Sequence, residues 1–345
     1  MYELEVATVH WFRNDYSQGA EPRVLDRIVR ENMTATVGYG EDDLCERARA
    51  LIRRETGRPD ALIRFIPGGT QTNQLMIAHA LRPHEAAIAA ETGHINVHET
   101  GAIEATGHKV LTAPVGDGKL TPEWIEGVLQ AHEGPHMVKP ALVYLSDTTE
   151  LGTHYTLREL TAIREYCLNK NLILYLDGAR LGSALAASEG DLTLKDIARL
   201  TDCFYIGGTK NGALLGEALV ILREDLKKDI DFTVKQRGAM TAKGRLLGIQ
   251  FLALFEDGLY YEIGRRENAL SMRLRAGVER AGYKLYTDSR TNQLFVLLPD
   301  EIVKRLEENF QFELNGEAEG KKIARFVTGW ATTEADVDAL VAALQ

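Results

Sequence analysis

Between about Arg23 and Leu222 the chain alternates short apolar runs with amphipathic stretches, and this rhythm restricts it to a sheet covered by helices. Strands are expected at Ala61–Ile66, Ala86–Ala90, Lys109–Thr112, Ala141–Leu145, Leu172–Leu176, Cys203–Ile206 and Ala218–Leu222. Helices are expected between them, among others at Thr72–Leu81, Pro122–Ala131, Leu157–Asn169 and Thr193–Leu200. Strands this apolar on both faces belong to a largely parallel, buried sheet. Ligands of such sheets gather outside the carboxyl ends of the strands.

After Leu222 the pattern changes. Two long helices are expected over Ala242–Glu256 and Tyr260–Ala281, joined at Asp257-Gly258. Short strands (Lys284–Tyr286, Gln293–Leu298, Ile323–Val327) and helices (Glu301–Glu307, Glu334–Ala343) follow, and either Thr332 or Thr333 can cap the last helix. A chain of 345 residues has room for this division. The expected organisation is an α/β fold: an N-terminal segment, 1–25, packing across the lobes, a large domain over 26–230, and a small α+β domain over 231–345.

Composition narrows the function classes. A formal net charge of −10 argues against a nucleic-acid partner, which would select a basic face. The three cysteines are far apart and include no C-x-x-C pair, so a disulfide framework is not expected and a reducing cytoplasm fits. The start, Met-Tyr-Glu-Leu-Glu, lacks the basic and apolar regions of a signal peptide, and no apolar run reaches membrane-spanning length. The expectation is a cytoplasmic protein without a membrane partner and without a metal ligand set.

Four segments carry chemistry. The run Leu172–Leu176 ends in Asp177-Gly178-Ala179-Arg180, placing a carboxylate at a strand end. Asp177 can cap the next helix, or it can pair with a protonated ring nitrogen, as pyridoxal phosphate enzymes require. The next strand ends in Gly207-Gly208-Thr209-Lys210-Asn211-Gly212. Lys210 is either a solvated loop lysine or a crowded amine that loses its charge and attacks a carbonyl. Pro67-Gly68-Gly69-Thr70 opens a helix after a strand, a phosphate cup built from free N–H groups, the helix dipole and the Thr70 hydroxyl. No lysine follows its last glycine, so it is not a Walker loop, nor is it G-x-G-x-x-G. Among nine histidines, His94 follows a strand and can stack on a cofactor while offering a base, with His98 in reserve.

In this order the four segments resemble the threonine aldolase/β-eliminating lyase family of fold-type I pyridoxal phosphate enzymes. The resemblance runs from Phe12-Arg13-Asn14-Asp15-Tyr16-Ser17 through Val37–Asp43 to Arg325-Phe326-Val327-Thr328-Gly329-Trp330. It implies a transferase-like large domain with a mainly parallel seven-stranded sheet and pyridoxal 5′-phosphate as cofactor. Lys210 would be the Schiff-base lysine, Asp177 the partner of the ring nitrogen, and His94 the stacking group. Gly69 and Thr70 would hold the phosphate. Arg180, beside the cofactor, would grip the substrate carboxylate with Arg325, and Tyr39 would enter from a neighbouring subunit. A homotetramer, a dimer of dimers with shared active sites, is implied as well.

The departures lie on the substrate side. Asn14 stands where many members carry a serine that helps hold the substrate carboxylate. Gly68 replaces a serine in the phosphate turn, and Thr149 replaces a histidine near the substrate hydroxyl. Lys235-Gln-Arg237-Gly238-Ala-Met240-Thr-Ala-Lys243 only partly matches the usual Gly-Gly-Met-Arg-Gln. The expected reaction is retro-aldol cleavage of L-threonine or L-allo-threonine to glycine and an aldehyde, with His94 or a water as base. The alternatives are β-elimination or transamination of another amino acid, and a non-catalytic sensor that keeps the cofactor.

Overall fold

The computed structural model describes residues 9–345. Its strands, in chain order, are β1 (His10–Trp11), β2 (Leu62–Ile66), β3 (Glu85–Ala90), β4 (Val110–Ala113), β5 (Lys139–Ser146), β6 (Ile173–Asp177), β7 (Cys203–Gly207) and β8 (Glu217–Ile221). The C-terminal part adds β9 (Lys284–Leu285), β10 (Gln293–Leu298), β11 (Phe310–Gln311), β12 (Glu313–Ala318) and β13 (Lys321–Val327). Seven strands form the central sheet in the order β2-β8-β7-β6-β5-β3-β4. β3 to β7 are parallel, as strands buried on both faces should be, whereas β8 runs against both its neighbours. The reason is local: residues 208–216 form only a tight loop, too short for the crossover a parallel pair needs.

Alternation along each strand sorts side chains onto two faces. Leu174 and Leu176 of β6 join the larger cluster, under the helices Asp43–Thr56, Leu157–Lys170, Leu194–Leu200 and Arg245–Glu256. Ile173 and Tyr175 point the other way, toward the helix Gly69–Ala80. The helix Leu157–Lys170 starts where it does because Thr156 and Glu159 form a reciprocal capping box.

The C-terminal domain is an antiparallel four-stranded sheet, β12-β13-β10-β9, backed by the helices Leu259–Arg280 and Glu334–Ala343. Thr333, not Thr332, caps the last helix by accepting from Asp336 N–H at 3.1 Å. β12 was not anticipated: Glu-Leu-Asn-Gly-Glu-Ala has no apolar alternation and lies mostly exposed at the sheet edge. Of the expected segment 1–25, residues 1–8 lie outside the described residues. Beyond them, β1 pairs with β11, Phe12 enters the C-terminal core, and Ala20 and Val24 enter the central one.

Candidate active site

Sheet register brings the expected residues to one edge. Ser146 lies beside Asp177, and Glu217 lies between Ile66 and Gly207. The carboxyl ends of β2, β5, β6 and β7 therefore meet the start of β8. The loops after β6 and β7 also touch: a Cβ on Gly178 would lie 2.1 Å from the Tyr205 carbonyl oxygen, and one on Gly207 would lie 2.3 Å from that of Ala179. Only glycine permits this approach, which draws Asp177 and Lys210 toward each other.

Asp177 is buried and held from three directions. Its Oδ2 accepts from the Tyr144 hydroxyl at 2.6 Å and Asn73 Nδ2 at 2.9 Å, and its Oδ1 accepts from Ala179 N–H at 3.0 Å. Burial, followed by the charge of Asp177, pushes the Tyr144 phenol well above the usual range, so it stays a neutral donor. Tyr175 and Tyr205 are buried and neutral for the same reason. The Tyr205 hydroxyl sits 3.2 Å from where a Cβ on Gly69 would fall, so this face is filled up to the turn.

Lys210 is half-buried, its Nζ 5.8 Å from the Tyr16 ring centroid. Burial and then the Arg180 guanidinium hold its ammonium below the ordinary lysine range, against the pull of Asp15, Asp177 and Glu217. An amine destabilised as a cation is the more available as a nucleophile. Glu217 clamps the turn, accepting from Gly208 N–H at 2.9 Å and the Thr209 hydroxyl at 2.8 Å. Burial raises its carboxyl to about 7.

Arg180 does not stand free. Its Nε and Nη2 donate to the two oxygens of buried Asp15 at 2.7 and 3.0 Å, and Asn292 donates to Asp15 as well. Burial opposes the Asp15 charge, but Arg180 and Lys210 hold it net below the usual carboxylate range. Arg325 is ion-paired to Glu313, and its buried Nε has no partner. Burial and the like charge of Arg180 lower its pKa. Asn14 turns away: its Oδ1 takes the Ser17 hydroxyl at 2.6 Å and Tyr16 N–H at 3.2 Å. Thr149 is buried in its own loop, its hydroxyl 2.7 Å from that of Thr153.

His94 opens a short helix, Nδ1 lying 2.8 Å from Glu99 Oε1 while its backbone N–H donates to Glu150 at 2.8 Å. The helix Gly69–Ala80 has no side-chain cap, and Thr72 N–H is the first amide bonded back, to Gly68 O at 3.0 Å. The N–H groups of Gly69, Thr70 and Gln71 thus present an anion seat. Nothing lies within 4 Å of a Cβ built on Gly68, so the missing serine reflects no lack of space. Tyr39, half exposed with φ 63°, packs under Lys235 of its own chain at 4.9 Å and makes no hydrogen bond to the Lys210 cluster.

Asp15, Asn73, Glu99, Tyr144, Glu150 and Glu217 were not singled out from the sequence. Two left a signal. Asn73 is four residues past Gly69 on one helix, hence on the same face. Glu217 places a carboxylate at the head of an all-apolar strand, where burial is costly without a purpose.

A buried carboxylate, a lysine of depressed basicity one strand away, and an uncapped helix start meet the three demands of pyridoxal phosphate: a partner for its ring nitrogen, an amine for its carbonyl, a seat for its phosphate. Known proteins agree. The family model described as beta-eliminating lyase matches residues 15–301. A low specificity L-threonine aldolase of a Pseudomonas species is 31% identical over 96% of each chain. A solved Leishmania major threonine aldolase superposes with a TM-score of 0.95 at 50% identity, covering 97% of this chain and 98% of that one. A Thermus thermophilus aspartate aminotransferase, 14% identical with a TM-score of 0.72 over 98% of this chain and 91% of that one, shares the fold alone. Site and matches together make this chain a member of the β-eliminating lyase family, with pyridoxal 5′-phosphate as its cofactor.

Proposed function

We propose that the chain is a low-specificity threonine aldolase, cleaving L-threonine or L-allo-threonine between Cα and Cβ to glycine and an aldehyde. The observation that carries this reading is the pairing of Lys210 and Asp177 at adjacent strand ends in a chain 50% identical to a threonine aldolase of known structure. Bound pyridoxal phosphate supplies an electron sink for the bond broken at Cα. The protein supplies the rest. Asn73, Tyr144 and Ala179 orient Asp177 as an acceptor toward the ring nitrogen. Gly69 and Thr70 would hold the phosphate, and Lys210 would hold the carbonyl carbon.

Arg180, braced by Asp15, and Arg325 draw in the substrate carboxylate. Their grip would fix the orientation of the bonds at the substrate Cα, and that orientation decides which bond reacts. Asn14, bound within its own turn, supports this region through the backbone leading to Asp15. With Thr149 committed to Thr153, the base at the substrate hydroxyl is His94.

We place the enzyme in the cytoplasm, consistent with three buried, unpaired cysteines. We also propose a homotetramer in which Tyr39 completes a neighbour's site. Leu25, Val29 and Met33, spaced by four residues, leave an exposed apolar stripe leading toward Val37 and Tyr39, a surface suited to a second copy. Incubation with L-threonine, L-allo-threonine and phenylserine should release aldehyde and glycine. 2-Oxobutyrate from the threonines, or phenylpyruvate from phenylserine, released with ammonia and without glycine would show a β-eliminating enzyme instead.

A further inference from the structure

Glu99 is a fully buried carboxylate with a role of its own. Its Oε1 accepts from Asn73 Nδ2 at 2.7 Å and lies 2.8 Å from His94 Nδ1, while its Oε2 has no partner. The same Asn73 nitrogen donates its second hydrogen to Asp177 at 2.9 Å, and Asn73 Oδ1 accepts from the Tyr175 hydroxyl at 2.9 Å. Turning the amide over would set its oxygen against two carboxylates, so its orientation is determined. Glu99 Oε1 is then an acceptor on both sides. The hydrogen between it and the imidazole belongs to His94 Nδ1, and Nε2 is left as the acceptor.

We infer that Glu99 is the positioning residue of this active site: it fixes His94 in the Nδ1–H tautomer and supports the imidazole as Nε2 takes the substrate hydroxyl proton. The inference rests on the aldolase reading. In that step the hydroxyl proton moves to Nε2, the oxygen's electron pair completes the aldehyde C=O, and the Cα–Cβ pair stays with Cα, which is later protonated to give glycine. The surroundings make the support necessary. The His98 ring is tilted against that of His94, centroids 5.5 Å apart, with its own charge opposed by burial, by His94, and by Arg325 and Lys210. Glu150 touches the His94 backbone N–H rather than the ring, and burial raises its pKa. Asp177 is one residue further away, beyond Asn73. Among the described residues Glu99 is the one carboxylate hydrogen-bonded to the ring.

The test is an imidazole ¹⁵N spectrum of the cofactor-loaded enzyme, with the His94 signal assigned by its loss in His94→Gln. The neutral form should be the Nδ1–H tautomer. In Glu99→Gln the carboxylate that supports the imidazole is gone, and kcat should fall about tenfold with KM within about twofold. An Nε2–H tautomer in the unmodified enzyme, or an unchanged kcat in Glu99→Gln, overturns the assignment. Should the variant fail to fold, the tautomer of the unmodified enzyme decides alone. Aldehyde release scores the aldolase reading separately, because the tautomer is read without turnover.

Discussion

Lys210 does its work through surroundings that weaken its hold on a proton. Its neighbours of opposite sign, Asp15, Asp177 and Glu217, are each engaged by other donors, so burial and Arg180 prevail. Lys210→Ala should lose the visible absorbance of the bound cofactor and at least about 1,000-fold in aldehyde release, while keeping its circular dichroism. A retained absorbance band would remove Lys210 from the role assigned to it. At this scale the sequence was readable where chemistry demands a rare residue in a special place: a lysine between glycines, a carboxylate closing an apolar strand. It was not readable for the residues that brace them. Nothing near Asp15 in the chain points to Arg180, 165 positions away. Nothing beside Glu99 reveals that Asn73 arrives from another helix.

At the scale of elements, the site depends on two loops crossing in contact. Gly178→Ala would drive a methyl group into the Tyr205 carbonyl, backbone against backbone, with no flexible side chain to yield. We expect about 3 kcal/mol of destabilisation and a weakened cofactor complex, measurable by urea unfolding and cofactor titration. Normal stability in that variant would mean that the loops can separate without loss. Doubly buried strands were legible because apolar runs bounded by turn residues have few other fates. The edge strand β12 was not, since an exposed edge needs no apolar face and is held by pairing with β13. The short helix at His94–Val97 is likewise too brief to carry a periodicity.

For the molecule as a whole, buried carboxyls set the response to pH. Burial raises Asp147 to about 8, well above an exposed aspartate, and its Oδ2 has no partner. The unfolded chain therefore ionises near pH 4 while the folded one holds its proton, so stability falls as pH rises from about 4 to 8. Asp147→Asn keeps an oxygen for Tyr155 N–H and removes that loss. Its melting temperature should exceed that of the parent by several degrees at pH 8 and by little at pH 4. Equal gains at both pH values would contradict the assignment. Assembly is the other property of this scale: Tyr39→Phe should lower kcat/KM about tenfold with cofactor absorbance unchanged, and unchanged kinetics would remove Tyr39 from the neighbour's site. The α/β class and the small C-terminal domain could be read from the chain because they follow from periodicity. The reversal of β8 could not, because it depends on how short one loop is.

The pairing of β1 with β11, and of Asp15 with Arg180, has a bearing on how the protein is made. A ribosome delivers residues 10–15 long before the segment that receives β1. The central sheet can collapse once Ile221 has emerged, but the leading segment cannot take its place until Gln311 is available. Arg325 arrives later still. Between those two points the chain would carry a formed sheet with an unfinished cleft, residues 10–15 waiting for β11 and for Arg325.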